Sequence, residues 1–491
     1  MISKSDYTAA LQCPRMLWLR KNMPEAADAS AQAVELGGGI EVGGIARGYH
    51  RGGYVLIGND FDYERMAGET SAALDVGETV CEATFVAGDL VCLADIVRPL
   101  PDGSLELTEV KSTTGVKPHQ VDDVAFQAHV MGLAGRAPGK INLMHVNGDY
   151  VRGGALDARR FLSIEGVMPE VERRRALVED AVAVARAVAA APDEPDVGIG
   201  PHCNTPHPCP FQGRCWAHVP ENSVFDMAGM GRKRGWKWWD KGIRTADDVA
   251  RAMRDGDMKP NMLRSRQCSG EVHADAAALS RFLSSNVRWP VYHLDFETFQ
   301  TAVPRYPGTK PYQQVPSQFS IHVQDAPGRW SRHIEFLAEA GPDPRRAVAE
   351  ALIDAIPEGA CVAAYNMSFE KGRIKEMADA CPDLAPRLLS IRDSIIDLMV
   401  PFQKGMLYRP EMGASYSIKA VLPAFYPDDP ELDYHALPTV HNGAEAAAAF
   451  LALEELEGDE LAVSRNGLLR YCELDTLAMV KVLDAVVAHA G

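Results

Sequence analysis

The chain has 491 residues, 46% of them hydrophobic and 24% charged, and carries a formal net charge of −17. That length exceeds what one hydrophobic core holds, so two or three domains are expected, and the composition excludes wholesale disorder. The acidic balance excludes a passive basic coat for nucleic acid. It allows an enzyme whose own carboxylates bind metal and whose substrate follows a local basic channel.

The first residues, Met1-Ile2-Ser3-Lys4-Ser5-Asp6, lead into no apolar signal stretch. The longest apolar runs, such as Ala181 to Ala191 with Arg186 inside it, are too short to span a bilayer. A cytoplasmic chain with no membrane partner is expected. Of the ten cysteines, seven are scattered, and only Cys203, Cys209 and Cys215 cluster, which does not resemble a secreted disulfide framework.

Ser5 to Arg20 reads as one amphipathic helix carrying Cys13. Gly88 to Arg98 and Ser104 to Lys111 read as paired strands joined by the turn Pro101-Asp102-Gly103. Asp95 falls near the end of the first, and Glu109 and Lys111 lie two apart on the second, hence on one face. Two carboxylates and an ammonium gathered on a hairpin can share one metal ion and one phosphate. Helices are expected over Val121 to Leu133, with Gln127, and over Pro169 to Ala190.

Gly198 to His218 is a Pro- and Gly-rich loop holding Cys203-x5-Cys209-x5-Cys215. Thiolates at such spacing bind soft or borderline metals, and a fourth ligand would close the site. A cluster and a zinc site using His202 or His207 both stay open on these residues alone. Residues 218–287 read as a helical connector without strand-like runs. Arg232-Lys233-Arg234 and Trp236-Lys237-Trp238-Trp239 mix cations with aromatics there, a pairing that suits single-stranded nucleic acid. An amphipathic helix that buries Trp236 and Trp239 explains those two tryptophans better.

From Trp289 the pattern changes to strands alternating with helices: Pro290 to Asp295, Gln318 to Val323, Cys361 to Tyr365, the strand-like Ile395 to Phe402, then a long helix from Gly467 to Ala488. Asp295 and Glu297 share a strand face, Asn366 to Glu370 follows a strand at a helix start, and Tyr471 and Asp475 share a helix face. Pro311 to Pro316 and Gly413 to Lys419 are polar, aromatic segments. Tyr416 and Lys419 are placed to stack a base and contact a phosphate, or equally to pack a loop.

Two resemblances follow from these residues. Asp95, Glu109, Lys111 and Gln127, with an early Cys13-Pro14-Arg15 and three later cysteines, make residues 1–217 resemble the PD-(D/E)xK nucleases of the RecB-like family. The likeness is to the iron–sulfur members related to AddB and the CRISPR adaptation nucleases. The resemblance implies a [4Fe–4S] cluster held by Cys13, Cys203, Cys209 and Cys215, metal ligands Asp95 and Glu109, and catalytic Lys111 and Gln127. Arg47 stands where the family has a helical His, with His50 three residues on, and Met131 stands where it has Tyr.

Residues 288–491 resemble the DEDD exonucleases of the DnaQ-like superfamily, tyrosine subclass, which have an RNase H-like fold. Asp295-x-Glu297, Asn366-x-x-Phe369-Glu370 and Tyr471-x-x-x-Asp475 carry the likeness, with Glu370 in place of Asp. The resemblance implies Mg2+ or Mn2+ held by Asp295, Glu297, Glu370 and Asp475, Tyr471 orienting the attacking water, and Asp397 in reserve. An α/β chain of two domains and a connector is therefore expected. Its expected activity is 3′-to-5′ exonuclease action on single-stranded DNA in repair, recombination or defence, alone or with a helicase-type partner. RNA as substrate, and an inactive binding scaffold, are the alternatives.

Overall fold

A computed structural model of the chain describes residues 1–28, 36–50, 52–432, 437 and 439–491. It is mixed α/β and divides into two compact units, Met1–Val219 with Thr301–Gln313, and Pro220–Gln300 with Gln314–Gly491. The expected connector belongs to the second unit, and a short stretch from beyond residue 300 belongs to the first. Among the described residues no helix is long and apolar enough to cross a membrane.

The first unit is built on a six-stranded sheet of order β1 (Val55–Leu56), β2 (Val80–Ala87), β3 (Leu90–Pro99), β4 (Leu105–Lys111), β5 (Pro138–Val146) and β6 (Leu162–Gly166). β2, β3 and β4 run antiparallel, and β5 returns parallel to β4 after the helix Pro118–Leu133. That helix and Arg175–Ala190 cover one face through Phe126, Val130, Val178 and Val182. On the other face Val42, Ile96, Met144 and Phe161 pack with Ala302 and Val303 of the inserted stretch.

The expected helix 5–20 is two helices, Lys4–Gln12 and Pro14–Asn22. Pro14 has no N–H to donate, and its ring drives the residue before it to extended backbone. Cys13 accordingly sits at φ −164°, ψ 117°. The break turns the thiol out of both helices. Ile2 N–H donates to Asp89 O at 2.7 Å and Val91 N–H to Ile2 O at 3.0 Å, which fixes the chain start beside β3.

The second unit has the short pair β7 (His273–Ala274) and β13 (Leu407–Tyr408) and a five-stranded sheet. The sheet's order is β10 (Arg329–Leu337), β9 (Val315–Ala326), β8 (Val291–Phe299), β11 (Cys361–Ala364), β12 (Ile395–Asp397). β8, β9 and β10 are antiparallel, while β11 and β12 run parallel to β8. β12 ends at Asp397, and the expected continuation to Phe402 is helical from Val400.

The closing helix Gly458–Ala488 lies against β8 and β9. β9 faces it with an alternating polar row, Gln318, Ser320, His322 and Gln324, all buried. Gln318 Nε2 donates to Leu468 O at 2.9 Å, and Gln324 Nε2 donates to Asp484 Oδ1 at 2.7 Å. Between them Ser320 Oγ lies 2.7 Å and His322 Nδ1 2.8 Å from Thr476 Oγ1. Apolar faces slide with little penalty, whereas each bond in this row is lost on a one-residue slip. The row therefore fixes where Tyr471 and Asp475 fall along the sheet.

Candidate functional site: two carboxylate centres

The second unit gathers the acids of three separate segments. Asp295 and Glu297 project from one face of β8, and Asp475 from the closing helix. One carboxylate oxygen from each lies within 4.8 Å of the others. Glu370, in the first turn of helix Ser368–Ala380, is 2% exposed, and its Oε2 has no hydrogen-bond partner. Tyr471, one turn before Asp475, is buried beside them. Gly443 opens the next helix, and a Cβ there would stand 3.7 Å from Glu297 Oε2.

Burial, then the charges of Asp475, Glu297 and Glu370, hold the Asp295 carboxyl well above the usual carboxylate range. Burial and Asp475 push Glu297 up to about 8, against the pull of Lys419. Burial, with Asp397 nearby, pushes Glu370 up to about 8. Four clustered acids cannot all ionise without a cation among them. Hard oxygen donors of this kind suit Mg2+ or Mn2+, and the orphaned Glu370 oxygen leaves room for that ligand. The residues present fit such an ion.

Asp397 is less suited to reserve duty. Its Oδ1 accepts the N–H groups of Asn366 at 3.1 Å and Met399 at 2.9 Å, so it holds the loop that presents Glu370. Asn366 itself takes φ +68°, a left-handed conformation that Asn tolerates better than most residues. A groove of 620 Å³ beside the centre is lined by Tyr365, Asn366, Met399, Tyr416 and Lys419, with Gly229 on its rim. Lys419 Nζ lies 3.4 Å from the Tyr471 hydroxyl and 5.6 Å above its ring. Burial, then Asp475, raises the Tyr471 phenol, so it stays protonated at neutral pH.

The first unit brings Asp95, Glu109, Lys111 and Gln127 together as well. Asp95 Oδ2 accepts Val110 N–H at 2.6 Å. Glu109, 1% exposed, accepts Lys4 Nζ at 2.8 Å and Lys111 Nζ at 2.9 Å on Oε1, and Gln127 Nε2 at 2.6 Å on Oε2. Burial works against the Glu109 anion, but Lys4 and Lys111 outweigh it and hold the carboxyl at about 2. Burial, then the Glu109 charge, raises Asp95 to about 7. Unlike the second centre, Asp95 and Glu109 do not meet a third acid oxygen within 4.8 Å among the described residues.

Three residues of the first centre escaped sequence reading. Lys4 arrives from the chain start, and no local pattern announces it. Asp123, which accepts Lys111 Nζ at 2.6 Å, lies four residues before Gln127 on one helix, a spacing that was there to be read. Glu82 stands at φ +56° inside β2, opposite Asp95 between the pairs Cys81–Ile96 and Ala83–Ala94. Arg47 pairs with it at 3.7 Å, and both line a 400 Å³ cavity with Asp95 and Lys111. His50 does not take the family histidine's place: its neighbours are Arg98, Glu106 and Lys140, and it lies beyond the helix Leu36–Arg47.

Cys13, Cys203, Cys209 and Cys215 line one small cavity with His202 and Phe211. Gln12 Nε2 donates to His202 O at 2.8 Å and His207 O at 2.9 Å, tying the first helix to the cysteine loop. A tetrahedral zinc site needs sulfurs roughly 3.8 Å apart, from Zn–S bonds of about 2.3 Å. No three of these sulfurs come within 4.8 Å among the described residues. Burial raises the Cys209 thiol to about 11 and lifts those of Cys13 and Cys215. Thiols so raised ionise on meeting a metal, not before.

Of the remaining expected residues, Arg232, Lys233 and Arg234 are exposed on the helix Gly231–Trp239. Trp236 and Trp239 are buried against Phe225, with ring centroids 4.6 and 5.1 Å away. Tyr312 of the Pro311–Pro316 segment packs within the first unit, its hydroxyl donating to Ser112 O at 2.5 Å, while Val315 and Pro316 open β9 in the second unit.

Residues 292–417 match a family described as "Domain of unknown function (DUF2779)". The matched stretch includes Asp295, Glu297 and Glu370 and ends before Lys419, Tyr471 and Asp475. The "Uncharacterized protein UU173" of Ureaplasma parvum serovar 3 is 29% identical over 215 residues, covering 39% of this chain. The chain spans about 30% of that relative's length.

Proposed function

We propose that this chain is a metal-dependent nuclease that degrades single-stranded DNA 3′ to 5′ at the Asp295 centre. The convergence of Asp295, Glu297 and Asp475 beside Tyr471, with Glu370 close to Asp295, carries this reading. The strand order, antiparallel β10-β9-β8 continued by parallel β11 and β12, supports an RNase H-like, DnaQ-like fold for the second unit. The run of three antiparallel strands, a helix and a parallel strand supports a RecB-like PD-(D/E)xK fold for the first.

Asp295, Glu297 and Asp475 would hold one Mg2+ or Mn2+ and Asp295 with Glu370 a second, supplying an activated water and charge stabilisation at the phosphate. The chain does the positioning. Tyr471, protonated and buried, holds the attacking water in line through its hydroxyl. Lys419 sets an ammonium beside that hydroxyl, facing the phosphate oxygens. The polar row on β9 keeps the helix that carries Tyr471 and Asp475 from sliding.

The first centre, where Glu109 Oε1 accepts both Lys4 and Lys111, would be either a second nuclease or a strand-binding module. Cys13, Cys203, Cys209 and Cys215 would hold a [4Fe–4S] cluster that staples the unit's first helix to its last loop.

The test is digestion of end-labelled single-stranded DNA with manganese, beside an RNA control. Asp295→Asn is expected to abolish laddering from the 3′ end, and Lys111→Ala to leave it intact. No cleavage of either nucleic acid by the native chain would make it a binding scaffold. Cleavage of RNA alone would reassign the substrate.

A further inference from the structure

Between Gly231 and Arg244 the sequence places six cations, Arg232, Lys233, Arg234, Lys237, Lys241 and Arg244, against the single carboxylate of Asp240. All six are exposed. In a chain of net charge −17 this local excess is not what composition alone would produce. The helix Gly231–Trp239 buries Trp236 and Trp239 at an i, i+3 spacing, which leaves Trp238 turned away from that core and only half-buried. Lys237 Nζ lies 5.7 Å and Lys241 Nζ 5.1 Å from the Trp238 ring centroid. The patch also abuts the groove of the same unit. Arg234 donates to Gly229 O at 3.1 Å, and Gly229 forms the groove's rim with Tyr416 and Lys419.

We propose that this helix is the docking surface for the single-stranded end of the nucleic acid. Trp238 stacks a base, the flanking cations hold the phosphates, and the strand passes Gly229 into the groove that ends at Lys419 and Tyr471. An exposed aromatic bordered by cations is the arrangement that binds single strands without regard to sequence. A duplex, its bases already stacked, cannot use Trp238. The surface rests on the nuclease reading for its purpose, while its binding is measurable without cleavage.

The experiment is fluorescence anisotropy of a labelled thymidine 20-mer on the full chain in EDTA, across a salt series. Trp238→Ala is expected to weaken binding roughly ten-fold, the loss of one stacked base, and Trp238→Tyr to restore it. Replacing Lys233, Lys237 and Lys241 by Gln is expected to flatten the log–log salt slope by roughly two units, at about 0.7 per cation lost. Manganese-dependent turnover of a small chromogenic phosphodiester, too short to reach the helix, is expected to stay unchanged in every variant.

Variants that bind the 20-mer like the native chain would overturn the proposal, as would duplex DNA competing as well as single strand. Native chain that binds the 20-mer through Trp238 yet cleaves nothing would sink the nuclease reading and leave the docking surface standing. Native chain that cleaves, with unchanged binding by Trp238→Ala, would sink the docking surface alone.

Discussion

A metal ion at the second centre would compete with protons for its carboxyl groups. Glu297 and Glu370 are raised from an ordinary 4.5 to about 8, and burial, then the charges of Asp475, Glu297 and Glu370, holds Asp295 well above its ordinary 3.8. Between those limits the native chain holds protons that the unfolded chain has released, so stability falls as pH rises from about 5 to 8 without metal. Manganese would bind only the ionised form, and it is expected to flatten or reverse that slope. Asp295→Asn removes a group that must hold a proton to stay neutral there, so in EDTA at pH 8 it is expected to melt several degrees above the native chain, and to gain much less from manganese. Thermal melts at pH 5.5 and 8, with and without metal, check both points. At the first centre the balance is opposite. Lys4 and Lys111 keep Glu109 ionised, and Lys4→Met would leave a carboxylate that is 1% exposed with Lys111 as its one bonded cation. We expect a loss of about 2–3 kcal/mol in urea unfolding.

At the scale of elements, sequence reading succeeded where burial imposes a period and failed where it does not. β8 carries its acids on a readable alternation, and β3 and β4 were read from the turn that joins them, although β4 is buried along its first five residues. β10 begins with Arg329, Trp330, Ser331 and Arg332, all exposed, and went unread because an edge strand is made polar to refuse further partners. β2 is buried along most of its length, so it has no period at all, and its Glu82 stayed hidden. The helix break at Cys13 was legible in Pro14 and was overrun by a longer hydrophobic pattern. The polar row on β9 is the element-scale device that aligns the second centre. Thr476→Val removes the partner shared by Ser320 and His322, leaving Ser320 its contact with His333 but His322 Nδ1 unpaired, and we expect a cost of about 1–3 kcal/mol. Because Asp475 is the next residue along that helix, kcat is expected to fall further than stability alone explains, with the KM for oligonucleotide little changed. At the cysteine cavity, chain purified without oxygen is expected to be brown, and Cys13→Ser colourless. Colourless native chain with one equivalent of zinc would overturn the cluster.

At the scale of the molecule, the carboxylate motifs were legible because each is short and lies on a single element. The limits of the units were not. Reading by segments put boundaries at 217 and 287, but packing follows contact in space. The stretch Thr301–Gln313 completes the first unit from within the loop between β8 and β9, supplying Ala302 and Val303 to the core of Val42, Ile96 and Phe161. Tyr306 and Thr309 close it from inside, and Arg152 donates to Pro304 O at 2.6 Å. No composition shift marks such a segment. A chain ending at Val219 is accordingly expected to expose that core and to lose protection against protease, with recovery when a peptide of residues 301–313 is supplied.

This interruption also sets an order of events on the ribosome. Domains ordinarily fold one after another as the chain emerges, N-terminal first. Here the first sheet cannot close its second face until Gln313 has been synthesised. By then the tryptophan-bearing helix and β8, with Asp295 and Glu297, are already made. Nascent chains stalled at Gln300 should therefore remain digestible in their N-terminal half, and those that have released Gln313 should not. The first carboxylate centre is thus finished only after the second has been begun, and the second waits in turn for Glu370 and Asp475.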